Sequence, residues 1–121
     1  MFFPLLLISC NSSEDIEIDN SIVVIKFKAK PNKGLEATSE LINLIEMVKH
    51  EPHFVNIKLH IDPNDETNIM LYEEWDDISY YKNEHMTTDH LKEFQLNSVN
   101  FLNGPPEISF WNIKKIFDKE K

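Results

Sequence analysis

The sequence contains no arginine, and all 12 of its basic residues are lysines. A planar guanidinium is the side chain that grips a phosphate or a carboxylate through two parallel hydrogen bonds, so clamps of that kind are excluded. The 21 acidic residues outnumber the lysines and give a net charge of −9 at pH 7. Because nucleic-acid binding needs a basic surface that neutralises phosphates, no nucleic-acid partner is expected.

Glycine and cysteine are also scarce. The two glycines, Gly34 and Gly104, are too few for a phosphate-cradling loop or a dinucleotide fingerprint, so NAD, Rossmann-bound FAD and ATP are not expected. The single cysteine, Cys10, cannot form a disulfide within the chain. A chain of 121 residues suffices for one small domain, and such a domain gains stability from pairing with a second copy.

The N-terminal segment opens with an apolar run, FFPLLLIS at residues 2–9, which is too short to span a bilayer. The run leads to Cys10 and resembles the lipobox of bacterial lipoproteins, although no lysine precedes it. The resemblance implies cleavage before Cys10 and lipidation of that cysteine, with residues 11–20 as a flexible acidic tether. The protein is then expected in the bacterial cell envelope, on the outer membrane or the periplasmic face, held by the lipid anchor only. If the run is not a signal, the protein is cytoplasmic.

Residues 21–117 carry strand and helix patterns, and residues 118–121 form a charged tail. β-Branched residues predict a strand over Ser21–Lys30, and apolar residues at helical spacing predict a helix over Leu35–His50. The later patterns predict three more strands and two short helices: strands over Phe54–Ile61, Asn68–Trp75 and Glu107–Phe117, a helix that begins at Asp76 or Asp77, and a helix over Asp89–Phe101.

The predicted order β-α-β-β-α-β is that of the ferredoxin-like split motif, an α+β fold in which helices cover one face of a four-stranded antiparallel sheet. Apolar residues occur on both faces of the first and last strands, so the second face must be covered as well. Two sheets that pack face to face would cover it. The pattern therefore predicts a homodimer in the form of a dimeric α+β barrel.

The segment from Leu71 to Phe94 gathers aromatic and titratable residues around the end of a predicted strand. Trp75 ends the strand, Tyr81 lies in the helix that follows, and two histidines flank a Thr-Thr break. Aromatic walls with a few polar groups suit a small pocket for a flat organic ligand.

Several chemical roles are open for the titratable residues of this segment. An unperturbed imidazole titrates near neutrality, which makes His85 a candidate proton acceptor. Five-residue spacing points His85 and His90 about 140° apart on a continuous helix, so shared metal ligation is disfavoured unless the Thr-Thr break changes the geometry. No metal site is expected. Glu73 and Glu74 point to opposite faces of the sheet, so one can face inward and act as a base with a raised pKa, although a salt bridge is the commoner role.

Between Ile22 and about Ile116, the order and spacing of five segments are informative: VVIKFKAKPNKG, EPHF, LYEEWDD, HMTTDHLKEF and NGPPEISF. Together they resemble the antibiotic biosynthesis monooxygenase family of dimeric α+β barrel proteins, which includes quinol monooxygenases. The resemblance implies a cofactor-independent monooxygenase that oxidises a hydrophobic quinol or phenol with O₂. Such a substrate loses a proton and passes an electron to O₂, so the protein has to bind the ring, assist deprotonation and exclude water.

The resemblance also implies roles for individual residues. Trp75 and Tyr81 match a pocket tryptophan and a pocket tyrosine of the family, and with His85 they form the expected catalytic set. Leu71 stands where some catalytic members have an asparagine, and Gln95 stands near the place of an arginine. Contacts with the substrate are expected from six residues: Trp75, Tyr81, His85, His90, Leu71 and Gln95.

These two departures leave alternatives open. The main one is a non-catalytic envelope lipoprotein that binds a hydrophobic small molecule in its barrel, and another is a domain whose pocket is filled by its own side chains. Haem-degrading relatives share the fold. However, Phe27 stands near the place of their strand asparagine and Glu84 near that of their helix tryptophan, so haem degradation is disfavoured.

Overall fold

The computed structural model describes residues 19–120. Cys10, and with it the predicted lipid anchor, lies outside the described residues. Within them, no helix is long and apolar enough to cross a membrane. The elements, numbered in chain order, are β1 (Ser21–Lys28), α1 (Gly34–Val48), β2 (Phe54–Asp62), β3 (Asp65–Trp75), α2 (Ile78–Asn83), α3 (Asp89–Asn97) and β4 (Glu107–Asn112), with 3₁₀ turns at His85–Thr87 and Ser98–Asn100.

The four strands form one antiparallel sheet in the order β2-β3-β1-β4. β2 and β3 are sequential neighbours joined by a tight turn, whereas β1 lies between β3 and β4. Helix α1 leads from β1 to the edge strand β2, and the segment with α2 and α3 leads from β3 to the opposite edge. This arrangement confirms the predicted ferredoxin-like α+β fold.

Side-chain alternation gives the sheet two different faces. The face toward the helices contributes most of the core, from β1 and β3: Val23, Ile25, Phe27, Ile69, Leu71 and Trp75. The opposite face leaves large aromatic side chains in contact with solvent, since Tyr72 is 37% exposed and Trp111 is 60% exposed. We call this second surface the outer face.

Helix α1 closes over the core through Ala37, Leu41 and Val48, which are buried at helical spacing. The helix begins at Gly34, next to the start of β3. A β-carbon added at Gly34 would lie 2.6 Å from the carbonyl oxygen of Glu66, which is closer than real β-carbons approach an oxygen. Glycine is therefore required for α1 to start so close to β3.

Four elements end earlier than the sequence predicts, and one of them is α1, which ends at Val48 rather than His50. β4 ends at Asn112 rather than Phe117, because Asn112 pairs with Ser21, the first residue of β1, and no further strand residue is available. β1 ends at Lys28, shortly before Pro31, which has no N–H to donate. α3 ends at Asn97, after which the chain tightens into the 3₁₀ turn Ser98–Asn100.

The region between β3 and α3 follows the predictions more closely. Asp77 caps α2, because its carboxylate accepts hydrogen bonds from the backbone N–H groups of Ser79 and Tyr80. The 3₁₀ turn His85–Thr87 supplies the predicted break, and α3 then begins at Asp89. The break changes the direction of the chain between the two histidines of this segment.

Candidate active site

An apolar cavity of about 90 Å³ lies between the sheet and the helices. Strand residues such as Ile25 and Ile108 line one side, and Met86 and Phe94 line the helical side. Most of the lining is apolar, so the few polar groups in it interact strongly with whatever enters. The titratable side chains that line the cavity are Glu73, Tyr81 and His85.

Glu73 is the inward-facing member of the Glu73–Glu74 pair and is only 3% exposed. Glu74 faces the outer side, where the side-chain amide of Asn20 donates to its carboxylate. Burial raises the pKa of Glu73 to about 7, while the indole N–H of Trp75 acts in the lowering direction and the charge of Glu51 in the raising direction. Glu73 is therefore suited to accept or return a proton near neutral pH.

Trp75 lies behind the cavity. Its fully buried ring packs edge-on against Phe54 and Tyr81, with centroid distances of 5.6 and 5.4 Å. Trp75 is not one of the described residues that line the cavity. Its Nε1 donates a 2.9 Å hydrogen bond to Glu73 Oε1, so the indole acts on the cavity through that carboxyl group.

Tyr81 and His85 form a stacked pair in the cavity wall, with ring centroids 4.8 Å apart and an interplanar angle of 26°. Both side chains are buried. Burial raises the pKa of Tyr81, and the charge of Glu73 adds to the effect. Tyr81 therefore keeps its hydroxyl proton and can donate a hydrogen bond to a ligand oxygen.

Glu51, which follows α1, joins three later elements at one carboxylate. Its Oε1 accepts a 2.9 Å hydrogen bond from the hydroxyl of Tyr80 and lies 2.9 Å from His85 Nδ1. Its Oε2 is hydrogen-bonded to His90 Nε2. The side chain of Glu51 is 6% exposed. Three hydrogen bonds at a buried carboxylate make this a fixed group rather than a solvated surface charge.

His85 is the second candidate proton acceptor of the cavity. Burial lowers its pKa, and Glu51 partly offsets this by favouring the charged form. A neutral imidazole has one donor and one acceptor nitrogen. Nδ1 faces Glu51, and Nε2 has no hydrogen-bond partner within residues 19–120. Nε2 is therefore the nitrogen available to a ligand.

The predicted site residues fall into two groups. The first group lies outside the cavity lining. Trp75 lies behind Glu73, and His90 is hydrogen-bonded to Glu51 and borders a separate groove between α1 and α3. In the part of the chain that the structure describes, no three His, Cys, Asp or Glu side chains are grouped so as to hold a metal ion. Four predicted contact residues line the cavity: Leu71, Tyr81, His85 and Gln95.

The sequence did not point to Glu51. It stands between His50 and Pro52 at a helix end, in a setting typical of solvated charges, and it lies 34 positions before His85. The available signal was indirect: buried histidines need hydrogen-bond partners, and an acidic residue near a helix end can supply one. No local pattern identifies which acidic residue does so.

The comparisons with known proteins agree with this fold. A scan against protein families matches the model described as antibiotic biosynthesis monooxygenase over residues 21–96. No curated protein matches the chain. A conserved protein from Methanosarcina mazei Go1 has a similar structure, with a TM-score of 0.75, 24% identity, and coverage of 84% of this chain and 99% of that one.

Two further solved structures are similar at lower identity. PA3566 from Pseudomonas aeruginosa has a TM-score of 0.70 at 20% identity, with coverage of 77% of this chain and 92% of that one. A variant of SnoaB, a cofactor-independent oxygenase from Streptomyces nogalater, has a TM-score of 0.72 at 12% identity, with coverage of 84% and 99%. At identities this low, the structural similarity establishes a shared fold and nothing further. Because the family match covers well over half of the sequence, the chain belongs to the antibiotic biosynthesis monooxygenase family.

Proposed function

We propose that this protein is a cofactor-independent monooxygenase that oxidises a single-ring quinol or phenol with O₂. The observation that carries the proposal is the pairing, in one small apolar cavity, of two groups that can accept a proton from a ligand. These groups are the carboxyl of Glu73 and Nε2 of His85. Family membership and the likeness to the oxygenase SnoaB support the same reaction class.

Deprotonation is the step for which this cavity is best equipped. A quinol hydroxyl that enters it meets an acceptor in His85 or Glu73, and the hydroxyl of Tyr81 can donate to the resulting oxyanion. The anion is electron-rich and can pass one electron to O₂ without a metal. The apolar walls around it limit the loss of reactive intermediates to water.

The overall reaction balances as quinol plus O₂ to hydroxyquinone plus water. After the first electron transfer, the semiquinone and superoxide combine and form a C–O bond at a ring carbon. The base returns its proton to the resulting peroxide, and the hydroperoxide then breaks its O–O bond and loses the hydrogen of that carbon as a proton, which leaves a carbonyl and releases water. One oxygen atom of O₂ enters the product and the other is reduced to water, so the substrate supplies all four electrons.

The size of the cavity favours a single ring. Its volume is about 90 Å³, whereas pockets for drug-sized ligands hold about 300–1,000 Å³. A naphthoquinol would require larger displacements of Met86 and Phe94, which line the helical side, than a benzene-1,4-diol would. The presence of the cavity also argues against a pocket filled by the protein's own side chains.

Oxygen consumption by the purified, chelator-treated full chain tests this proposal. We expect saturable O₂ uptake with substituted benzene-1,4-diols and slower uptake with naphthoquinols, in each case above the rate of autoxidation. Glu73→Gln and His85→Gln each remove one acceptor, and a general base contributes about 10²–10⁴-fold. We expect at least one of these variants to lose activity in that range.

Matched controls separate the site from general damage to the fold. Glu74→Gln changes the neighbouring carboxylate on the outer face, and His60→Gln changes an exposed histidine of β2, so both variants should keep full activity. Uptake equal to autoxidation across the whole panel, from folded protein, would contradict the proposal. A co-purifying aromatic ligand that is never turned over would then favour the non-catalytic binding protein.

A further inference from the structure

We propose that Glu51 is the positioning residue of this cavity, because it holds the His85 ring in the orientation and tautomer that present an unprotonated Nε2 to a ligand. The proposal rests on the proposed function in one respect, since it assigns His85 the task of taking the ligand's proton. The ring geometry that it describes exists without any ligand. It can therefore be tested whether or not the oxygenase reaction is found.

The tautomer follows from the contacts of Glu51. His85 Nδ1 lies 2.9 and 3.0 Å from the two carboxylate oxygens of Glu51. An ionised carboxylate only accepts hydrogen bonds, so the nitrogen that faces it has to carry the hydrogen. A neutral imidazole has a single N–H. Nε2 is consequently left with its lone pair. Because His85 lines the cavity while its Nδ1 is directed at Glu51, Nε2 is the nitrogen left for a ligand.

The orientation of the ring follows from its other neighbours. Tyr81 stacks on His85 at a centroid distance of 4.8 Å, and Trp75 lies 4.9 Å from it. A 180° flip of the imidazole would keep the stacking but would replace Nδ1 by a carbon at the carboxylate, and a partial rotation would break both contacts. A base that is fixed in this way needs no reorganisation before it takes a proton.

The carboxylate of Glu51 is itself fixed. The hydroxyl of Tyr80, in α2, donates to Oε1, and His90, in α3, is hydrogen-bonded to Oε2. These two contacts leave Glu51 little freedom to turn away from His85. His90 and Tyr80 thus support the base from outside the cavity, which gives a role to a histidine that does not line it.

Four elements present titratable groups to the His85 ring, and any pH profile reports on all of them. The groups are Glu51 after α1, Glu73 on β3, Tyr80 and Tyr81 on α2, and His90 on α3. Glu51 also ties the end of α1 to α2 and α3, so its removal weakens the helical layer. A loss of activity alone would not distinguish positioning from stability.

The first test reads the tautomer directly in the full chain, labelled with ¹⁵N and without ligand. Long-range ¹H–¹⁵N spectra near neutral pH should show His85 with a protonated Nδ1 and an unprotonated Nε2. Exposed His60 serves as the internal reference and should show a mixture of tautomers. A protonated Nε2 on His85 in the wild-type protein would overturn the proposal, and this result needs no variant to fold.

The same spectra of Glu51→Gln test the cause. A glutamine side chain can donate from its amide nitrogen, so part of the His85 population should change to the Nε2–H tautomer. The matched control is Glu46→Gln, which changes an exposed glutamate of α1 that is paired with Lys49 and should leave the His85 signals unchanged. An unchanged His85 tautomer in folded Glu51→Gln would count against the proposal.

Kinetics supply the second test if the oxygenase reaction is found. Glu51→Gln should lower kcat about 100-fold with little change in KM, as expected when a base loses its correct protonation state. In a His85→Gln background the same substitution should cause no further loss, because Glu51 acts through His85. An equal loss in both backgrounds would identify a structural role instead.

Discussion

Trp75 donates its indole N–H to the carboxyl of Glu73, two residues earlier on the same face of β3, at 2.9 Å. The pair connects a fully buried aromatic side chain to the one acidic group that, within residues 19–120, lines the cavity. The tryptophan that the family pattern singles out therefore lies behind the cavity and is hydrogen-bonded to a titratable group that lines it.

The buried carboxyl of Glu73 should make stability depend on pH. Its pKa rises to about 7 from an ordinary value of 4.5. Between these values the unfolded chain has released the proton and the folded chain has kept it, so the free energy of unfolding falls as the pH rises. At about 1.4 kcal/mol per pKa unit, the loss approaches about 3 kcal/mol.

Urea unfolding across this window measures the effect, with Glu73→Gln as the comparison. The lowered pKa of His85 acts in the opposite direction, because its stabilisation is lost as the pH falls. The difference between wild type and Glu73→Gln removes that shared contribution. The free energy of unfolding of Glu73→Gln should increase relative to that of wild type as the pH rises. A difference that does not depend on pH would contradict the assignment of Glu73.

Removal of the indole N–H should raise the pKa of Glu73 further. Trp75→Phe keeps an aromatic ring but deletes the donor that stabilises the ionised carboxylate, and a hydrogen bond to a charged group contributes about 1.5–3 kcal/mol. We expect an upward shift of about one pKa unit or more, measured by ¹³C NMR titration of the Glu73 carboxyl. Trp111→Phe on the outer face is the control, and equal titration curves for all three proteins would refute the link.

Gly34 should be intolerant of any side chain. Gly34→Ala places a β-carbon 2.6 Å from the Glu66 carbonyl oxygen, so α1 or the start of β3 has to move. Overpacking of this kind costs about 1–3 kcal/mol, against a small helix-propensity gain from alanine. Chemical denaturation should show that loss, while Ser39→Ala, at an exposed position of the same helix, should change stability little. A stabilised Gly34→Ala variant would show that the contact is relaxed.

The outer face should carry the predicted homodimer contact. Tyr72 and Trp111 remain exposed there, beside Ile22 and Val24 on the neighbouring strand β1. A lysine in place of Trp111 would put a charge into a desolvated interface. Sedimentation velocity should find a dimer for wild type and a monomer for Trp111→Lys, whereas Phe117→Lys, beyond β4, should stay dimeric. A monomeric wild-type protein would disprove the prediction.

The fold can be predicted from short-range sequence patterns, and the same patterns come close to predicting the inward position of the Glu73 carboxylate. Alternation along β3 puts Glu73 on the same face as Leu71 and Trp75, so a buried Trp75 implies an inward Glu73. The pattern does not predict how well that face is shielded from water. The shielding depends on the position of α3 over the sheet, and α3 itself has no fully buried residue.

The contacts of Glu51 were beyond prediction from the sequence. Helical spacing places His85 and His90 far apart in angle, and only the 3₁₀ turn at His85–Thr87 lets both reach one carboxylate. The strand end at Asn112 has a similar origin, because it is set by the start of β1 rather than by local β propensity. Both features depend on partners distant in sequence.

The fate of the oxygen atoms tests the central claim most directly. Metal-free full chain is incubated with a benzene-1,4-diol under ¹⁸O₂, and the product is analysed promptly by mass spectrometry. A monooxygenase that works as proposed yields a hydroxyquinone with one ¹⁸O atom, in an amount that depends on enzyme concentration. Product without the label, or product equal to the amount formed by autoxidation, would contradict the account.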